Sequence, residues 1–383
     1  MPNTITGLIP TLYEALNVVS RELVGFIPSV SRDSKLERAA KGQTIRSPIT
    51  PVAQTHDITP GDIPSNDGDQ TISHTDITIS KSKYAPVRWE GEEEISLGDM
   101  YDPTTRDQFA EAMRALVNEV EEDIGALFVH ASRAYGTPGT PPFGSNLNDA
   151  AQVLKILKDN GAPKTGRQLV IGTSAGTNLL SLTQLTNVNQ AGTNETLRNG
   201  VILPAFGMDI RESAGIQTKT PGTVTNATVT GANALGATTI NVTTGSGGSV
   251  SLTAGDYITI AGDTGKYVVA SNVTIGASST GNVVIAAPGL QEATTGGEAI
   301  TTASTSFEAS MAFSRSALHL VTRAPAMPRI GDAASDVLDI ADPVSGLGFQ
   351  VAAYKQYRRV KFEVGLAWGV ACIKPEHLAL LIG

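Results

Sequence analysis

The sequence motif closest to a catalytic site is Gly172–Gly176, a G-x-S-x-G pentapeptide with Ser174 at its centre. It lies between a predicted strand and a predicted helix, the context in which α/β hydrolases expose a nucleophilic serine. A triad in chain order would also need a later acid and a later histidine. The candidates for these two roles are Asp332, Asp336, Asp339 and His377. A predicted all-β segment follows the motif where a hydrolase would continue with alternating strands and helices, so a serine hydrolase is kept only as the alternative hypothesis.

Other polar clusters could bind ions, but each has a plainer interpretation. The candidates are His56, Asp57, His74 and Asp76 for a metal ion, the run Glu92–Glu94 for a cation, and Lys355, Arg358, Arg359 and Lys361 for phosphate. The histidines belong to an alternating strand pattern, which exposes polar residues in any case. The charge clusters are typical of solvated faces. We therefore predict no catalytic residue, no metal site and no cofactor.

Composition narrows the classes of function. The 383 residues are enough for two or three domains, and only 17% of them are charged. The net charge of −9 argues against tight non-specific binding to nucleic acid, which needs clustered Lys and Arg. Cys372 is the single cysteine, so neither an internal disulfide nor a cysteine-based metal site can form. We see no signal peptide and no apolar stretch of membrane-spanning length, and expect folding in a reducing cytoplasm without a membrane.

The strongest structural pattern predicts one long helix from Pro103 to Tyr135, with Asp102 as its cap. Apolar residues recur in steps of three and four at Phe109, Met113, Leu116, Val117, Val120, Ile124, Leu127, Phe128 and Ala131. The polar positions off this stripe are Glu111, Arg114, Asn118, Glu121, Glu122 and Arg133. Such a helix would be roughly 50 Å long. A rod of this length with one buried stripe needs a long surface to pack against.

Extended segments precede the long helix. A short amphipathic helix at Thr11–Gly25 leads into a polar, basic arm at Pro28–Gly42 with little core of its own. From Gln43 to Leu97 the pattern predicts a two-stranded excursion with a loose turn, best seen in the alternation of Thr71–Ser80. An isolated hairpin is marginal in water. This hairpin therefore needs a neighbour, either in the same chain or in another subunit.

Mixed structure and then a β-rich segment follow the long helix. The predicted elements are helices at Ser145–Asn160 and Ser174–Leu185, strands at Gln168–Ile171, Phe349–Tyr354 and Tyr357–Cys372, and a terminal helix at Pro375–Leu381. Residues 216–305 are rich in Gly, Thr, Ala, Ser and Val and predict a small all-β barrel or sandwich inserted into a different domain. A surface adhesin or carbohydrate-binding module centred on this segment would need an export signal, which we do not see.

In this order of parts, the chain resembles the major capsid (coat) proteins of tailed bacteriophages with the Hong Kong 97-type fold, in particular those of short-tailed phages that carry an inserted β domain. The stretches that carry the resemblance are Ile45–Trp89, Asp102–Tyr135, Gln168–Gly172, Leu203–Ser213, Ala254–Gly262, Lys266–Val269 and Gly365–Ala371. It covers nearly the whole chain. It implies an α+β fold with an N-terminal arm, an extended hairpin loop, a long spine helix, peripheral and axial domains, and an inserted all-β barrel or sandwich domain.

The resemblance also implies a division of the chain. The expected parts are 1–42 (N-terminal arm and short helix), 43–100 (extended hairpin and peripheral-domain strand), 101–144 (spine helix, peripheral domain), 145–215 (first part of the axial domain), 216–305 (inserted β domain) and 306–383 (axial return and peripheral-domain strands). The inserted domain is expected either to stabilise the monomer or to bridge capsomers through a loop acid such as Asp256 or Asp263. Some members of the fold cross-link a hairpin lysine to a neighbour; Lys81 and Lys83 lie near that element, but we expect no cross-link.

The implied function is structural and not enzymatic. Copies are expected to form pentamers and hexamers of an icosahedral shell that encloses double-stranded DNA without sequence-specific binding. Scaffolding and portal proteins are the expected partners. Assembly is expected in the host cytoplasm, and the final location is the virion. The hairpin would extend over a neighbouring subunit and gain there the strand pairing that it lacks alone.

Overall fold

The computed structural model describes residues 24–49, 55–58, 60–61, 69–187, 189, 196, 202, 204–328, 331–341 and 346–383. Most of the predicted first helix and most of the hairpin tip lie outside these residues. The helices are α1 Phe26–Ser29, α2 Gly91–Leu97, α3 Tyr101–Gly125, α4 Asn148–Asp159, α5 Thr173–Ser181 and α6 Thr183–Thr186, with 3-10 turns at Gly98–Met100, Ala126–His130 and Pro375–His377.

The strands alternate with these helices and dominate the second half of the chain. They are β1 Ser31–Ala39, β2 Thr44–Ile49, β3 Ser73–Thr78, β4 Lys81–Glu90, β5 Arg133–Gly136, β6 Arg167–Ile171, β7 Met208–Glu212, β8 Thr218–Lys219, β9 Thr223–Val229, β10 Thr239–Leu252, β11 Tyr257–Ile260, β12 Lys266–Val268, β13 Val273–Ile275, β14 Thr280–Val284, β15 Ile300–Thr302, β16 Phe307–Ser314, β17 Leu318–Pro325, β18 Asp336–Ala341, β19 Gly348–Gln356, β20 Arg359–Cys372 and β21 Leu378–Ile382.

The long helix α3 is confirmed in its buried stripe but is shorter than predicted. Its 25 residues span about 37 Å, and Phe109, Met113 and Val120 on the stripe are fully buried. Asp102 lies in the first turn and does not cap the helix. The predicted continuation to Tyr135 was wrong, because Arg133–Gly136 forms strand β5 and hydrogen-bonds β21 on one side and β12 on the other. Pairing on two edges satisfies more backbone groups than a fraying helix end.

A six-stranded sheet supports α3. Its order is β1-β17-β20-β19-β18, and β4 also pairs with β20 along its whole length. Phe109 of the helix meets Phe362 of β20 edge-on, with 5.5 Å between ring centroids. The arm at Pro28–Gly42 was predicted to have little core of its own; its strand β1 pairs in parallel with β17, and Ala39 is buried against residues from outside the arm. The arm is therefore part of the sheet.

The larger sheet corrects the prediction for the C-terminus. It has nine strands in the order β15-β11-β12-β5-β21-β16-β6-β7, with β8 beside β16. A terminal helix was predicted at Pro375–Leu381, but only Pro375–His377 forms a 3-10 turn, and Leu378–Ile382 forms β21, in which every residue is buried. A short run of apolar residues fits a buried strand and a buried helix equally well by periodicity. Its neighbours β16 and β5 decide the conformation.

The segment 216–305 contributes to two sheets. Strands β9, β10, β13 and β14 form a separate four-stranded sheet. An apolar core of the segment's own residues, including Ile240, Val242 and Val283, lies beneath it. Strands β11, β12 and β15 instead extend the nine-stranded sheet, through the pairing of Lys266 with Ala134. The segment thus has its own core but is joined to the body by continuous strand pairing; its assignment as an inserted domain stays a prediction.

Candidate functional site: the hairpin and its attachment to the spine helix

The hairpin consists of β2 and β3, a ribbon with no third strand among the described residues. The two strands pair antiparallel from Thr44–Thr78 to Ile49–Ser73. Ile77 is buried, whereas Ile58 and Ile72 beside the ribbon are 95% and 64% exposed. A two-stranded ribbon has too little apolar surface to be stable by itself in water. The described part of the chain thus leaves most of this ribbon uncovered.

Backbone contacts fix the root of the ribbon. The amide of Gly42 donates to the carbonyl of Ile79, and the amide of Ile79 donates to the carbonyl of Gln43, both at 2.9 Å. Ile79 is fully buried against the sheet. At Gly369 of β20 a Cβ atom would lie 2.2 Å from the carbonyl oxygen of Thr78, so only glycine permits this approach. The ribbon therefore leaves the sheet in one defined direction.

Charged side chains connect this root to α3. Lys81 Nζ lies 2.8 Å from both Glu119 Oε1 and Asp123 Oδ1, and Lys83 Nζ lies 2.5 Å from Glu119 Oε1. The indole N–H of Trp368, in β20, donates to the other oxygen of Asp123 at 2.8 Å. We call these five side chains the root clamp. It joins β4, the strand that follows the ribbon, to the spine helix and to β20, and it engages both lysines within their own chain.

The root clamp has a defined pH dependence. Burial alone would raise the pKa of Glu119, but hydrogen bonds from Lys81 and Lys83 outweigh it and lower this pKa. A carboxyl group with a lowered pKa contributes stability above its unfolded value, about 4.5, and that contribution is lost as the pH falls through the folded value. We expect Glu119→Gln to flatten the loss of stability between about pH 5 and pH 3. Urea unfolding at several pH values measures this; a slope equal to that of wild type would contradict it.

A second set of hydrogen bonds joins α1 to the same helix, α3. Glu121 is only 3% exposed, although its position off the apolar stripe predicted exposure. Its carboxyl oxygens accept the amides of Phe26 and Ile27 at 3.0 and 2.8 Å and the hydroxyl of Ser213 at 2.8 Å. Burial raises the pKa of Glu121, although these three donors favour the ionised form. Arg133, also predicted off the stripe, is buried and donates to Asn160.

The serine motif does not form a triad in the described structure. Ser174 is the second residue of α5, and its hydroxyl donates to Glu308 Oε1 at 3.2 Å. His377 lies in the 3-10 turn before β21, where its Nδ1 is buried without a hydrogen-bond partner. Asp332 accepts the hydroxyl of Tyr354 at 2.6 Å. The pairing of serine with histidine that activates a nucleophile is therefore not present.

The remaining polar candidates are dispersed or engaged. Asp76 lies 3.4 Å from Arg46 Nε and 3.7 Å from His74 Nε2, while His56 and Asp57 are exposed. The part of the chain that is described holds no group of three or more His, Cys, Asp or Glu side chains arranged for a metal ion. Helices long and apolar enough to cross a membrane are likewise not found among the described residues.

The expectation that a loop acid bridges subunits was wrong for Asp256. This side chain is fully buried, and it accepts the amides of Thr253 at 2.7 Å and Gly222 at 3.2 Å. Lys219 Nζ lies 3.6 Å from its other oxygen. Asp256 thus links Lys219 and Gly222, near the start of the segment 216–305, to Thr253. Asp263 accepts the amide of Gly265 at 2.7 Å and the hydroxyl of Tyr267, so it also has partners within the chain.

Comparison with known proteins finds similarity only at the level of structure. No family model matches the chain, and no curated protein matches it. A solved structure of Mycobacterium phage Che8 is 14% identical, with a TM-score of 0.46 over 89% of this chain and 85% of that chain. The capsid of cyanophage P-SCSP1u is 11% identical, with a TM-score of 0.46 over 92% and 86%. The mature capsid of bacteriophage PhiM1 is 12% identical, with a TM-score of 0.45 over 93% and 86%. The second and third of these structures are phage capsids.

Proposed function

We propose that this chain is the major capsid protein of a tailed bacteriophage. In this proposal, copies assemble into pentamers and hexamers of an icosahedral shell around double-stranded DNA. The observation that carries the proposal is the uncovered β2–β3 ribbon on a fixed root. A ribbon that is marginal alone but rigidly directed is suited to pair with another copy, where backbone hydrogen bonds and apolar contacts are completed. Closed symmetry then repeats the same contact around the shell.

The elements behind the ribbon suit a structural role without catalysis. The spine helix lies along β4 and β20, and the root clamp holds these three elements together beside the root of the ribbon. The net charge of −9 suits a wall that encloses DNA without holding it tightly. We retain the proposed division into arm, hairpin, spine, axial and inserted parts, with scaffolding and portal proteins as partners and the host cytoplasm as the place of assembly. Because Lys81 and Lys83 are bound by Glu119, we also propose that no lysine cross-link forms at the hairpin.

Removing the ribbon tests the proposal. Gln43 and Ile79 are already hydrogen-bonded across the root, so residues 44–78 can be replaced by a two-residue Asn-Gly turn without moving the sheet. We expect this variant to fold, with a thermal midpoint within about 5 °C of wild type. We expect it to form no shells, whereas wild-type protein forms megadalton particles in gradients and negative-stain microscopy, either alone or co-expressed with its scaffolding protein.

The control is Leu235→Ser, which changes an apolar residue that is 69% exposed in the segment 216–305. This variant is expected to assemble like wild type. A wild-type chain that stays monomeric even with the scaffolding partner would refute the proposed function. Normal shells from the variant without the ribbon would refute the role given to the ribbon.

A further inference from the structure

A groove of about 640 Å³ lies between helix α2 and the turn that joins β19 to β20. Its lining includes Trp89, Ile95, Gln356 and Val360. Ile95 is 85% exposed, and Tyr357, at the tip of the turn, is 89% exposed. Ile95 in the groove and Tyr357 at the tip of the turn thus present apolar surface to solvent on both sides of the groove. The indole N–H of Trp89 is buried there without an acceptor among the described residues.

The two sides of the groove carry opposite charge. Helix α2 supplies Glu92–Glu94, and the turn supplies Lys355, Arg358 and Arg359. Arg359 pairs with Glu90 at 2.5 Å, which holds the two sides together. Glu93 accepts the backbone amide of Glu90 in a capping box. No ion pair among the described residues engages Glu92, Lys355 or Arg358, so both sides keep charge available for a partner.

The conformation of the turn and the side chain of Arg358 hold Tyr357 in a defined orientation. Arg358 has a φ of +53°, the left-handed conformation that closes a tight turn between paired strands. Its guanidinium lies over the ring of Tyr357, 5.7 Å from the centroid. A ring held in this way loses little conformational freedom when it is buried at an interface. Tyr and Arg are also the residue types that most often dominate binding energy.

We infer that the Tyr357 turn of one copy inserts into the groove of a second copy, beside Ile95, with Arg358 and Lys355 facing the acidic side of α2. This inference rests on the proposed function and names a contact within the assembly. The occupant is a second copy because a single patch carries both an exposed aromatic knob and a groove, and both signs of charge. Nucleic acid would match the basic turn but would be repelled by the adjacent glutamates. Because the knob and the groove belong to one patch, the same patch meets itself in the two copies, and the contact has two-fold symmetry.

A charge exchange tests this contact in assembling protein. Arg358→Glu and Glu92→Arg are each expected to lower the yield of shells about tenfold or more, since each places like charges across the interface. The double variant restores the pair and is expected to return within about threefold of wild type. Tyr357→Ala is expected to lower the yield as the single charge variants do, and Leu235→Ala is the control that should not. Wild-type yields from both single charge variants, or no recovery in the double variant, would overturn the inference.

A second measurement does not depend on shells. Chains carrying Tyr357→Cys are mixed with chains carrying Ile95→Cys and mildly oxidised. A disulfide-linked dimer in the mixture, and in neither variant alone, is the expected result. Burial raises the pKa of Cys372 to about 12, which disfavours its thiolate, and each variant alone controls for disulfides through this native thiol. If wild type forms no shells, the proposed function fails and this mixture still decides the contact; the absence of a mixed dimer overturns the inference alone.

Discussion

Replacing Glu121 by alanine is expected to lower the free energy of unfolding by about 4 kcal/mol. The substitution removes the shared acceptor of two backbone amides, from Phe26 and Ile27, and of the Ser213 hydroxyl. Each buried donor left without a partner costs about 1–3 kcal/mol. No other acceptor can move in easily, because the helix passes this site closely: a Cβ on Gly125 would lie 2.3 Å from the carbonyl oxygen of Gly215. Urea unfolding of unassembled protein at neutral pH measures the loss.

The adjacent residue provides the matched control. Glu122 has the same side chain on the same helix but is exposed. Glu122→Ala should change the free energy of unfolding by no more than about 0.5 kcal/mol. If the two alanine variants are equally stable, the three hydrogen bonds at Glu121 do not hold the start of the described chain against the spine helix.

Trp368→Ala is expected to cost about 3–5 kcal/mol of stability. Trp368 has no exposed surface and has the largest volume of the fully buried side chains among the described residues. It lies where the root clamp meets the sheet, with its indole N–H on Asp123 and the Lys81 ammonium 5.8 Å from its ring centroid. Its loss leaves a cavity and an unpaired carboxylate oxygen beneath the hairpin root. Thermal and urea unfolding measure the loss, and limited proteolysis of the hairpin is expected to become faster.

A comparison with Trp89 separates the contribution of packing to stability from the contribution of the hydrogen bond at Trp368. Trp89 is also buried, but its indole N–H has no acceptor among the described residues. Trp→Phe at either position removes a similar volume, whereas only Trp368→Phe also breaks a charge-assisted hydrogen bond. We therefore expect Trp368→Phe to cost about 1–2 kcal/mol more than Trp89→Phe. Equal losses would assign the role of Trp368 to packing alone.

The sequence by itself determined the elements whose pattern repeats along the chain. The stripe from Phe109 to Ile124 predicted the spine helix, and the alternation of Thr71–Ser80 predicted the strand of the hairpin. The strand before Gly172 and the helix after it were also predicted, since a buried apolar run and a helical period are local signals. The need of the hairpin for a neighbour followed from its two-stranded pattern, because a two-stranded ribbon buries too little surface, but the pattern left open whether that neighbour lies in the same chain or in another subunit.

The tertiary structure alone decided the conformations that depend on neighbours distant in sequence. Leu378–Ile382 became a strand because β16 and β5 lie on either side of it, and Arg133–Gly136 left the helical pattern because β12 and β21 pair with it. Glu121 looked like one more solvated helix position, yet backbone amides some 95 residues away in sequence enclose it. Periodicity shows which face of an element is apolar. It does not show which buried hydrogen-bond donors, distant in sequence, need a carboxylate as their acceptor.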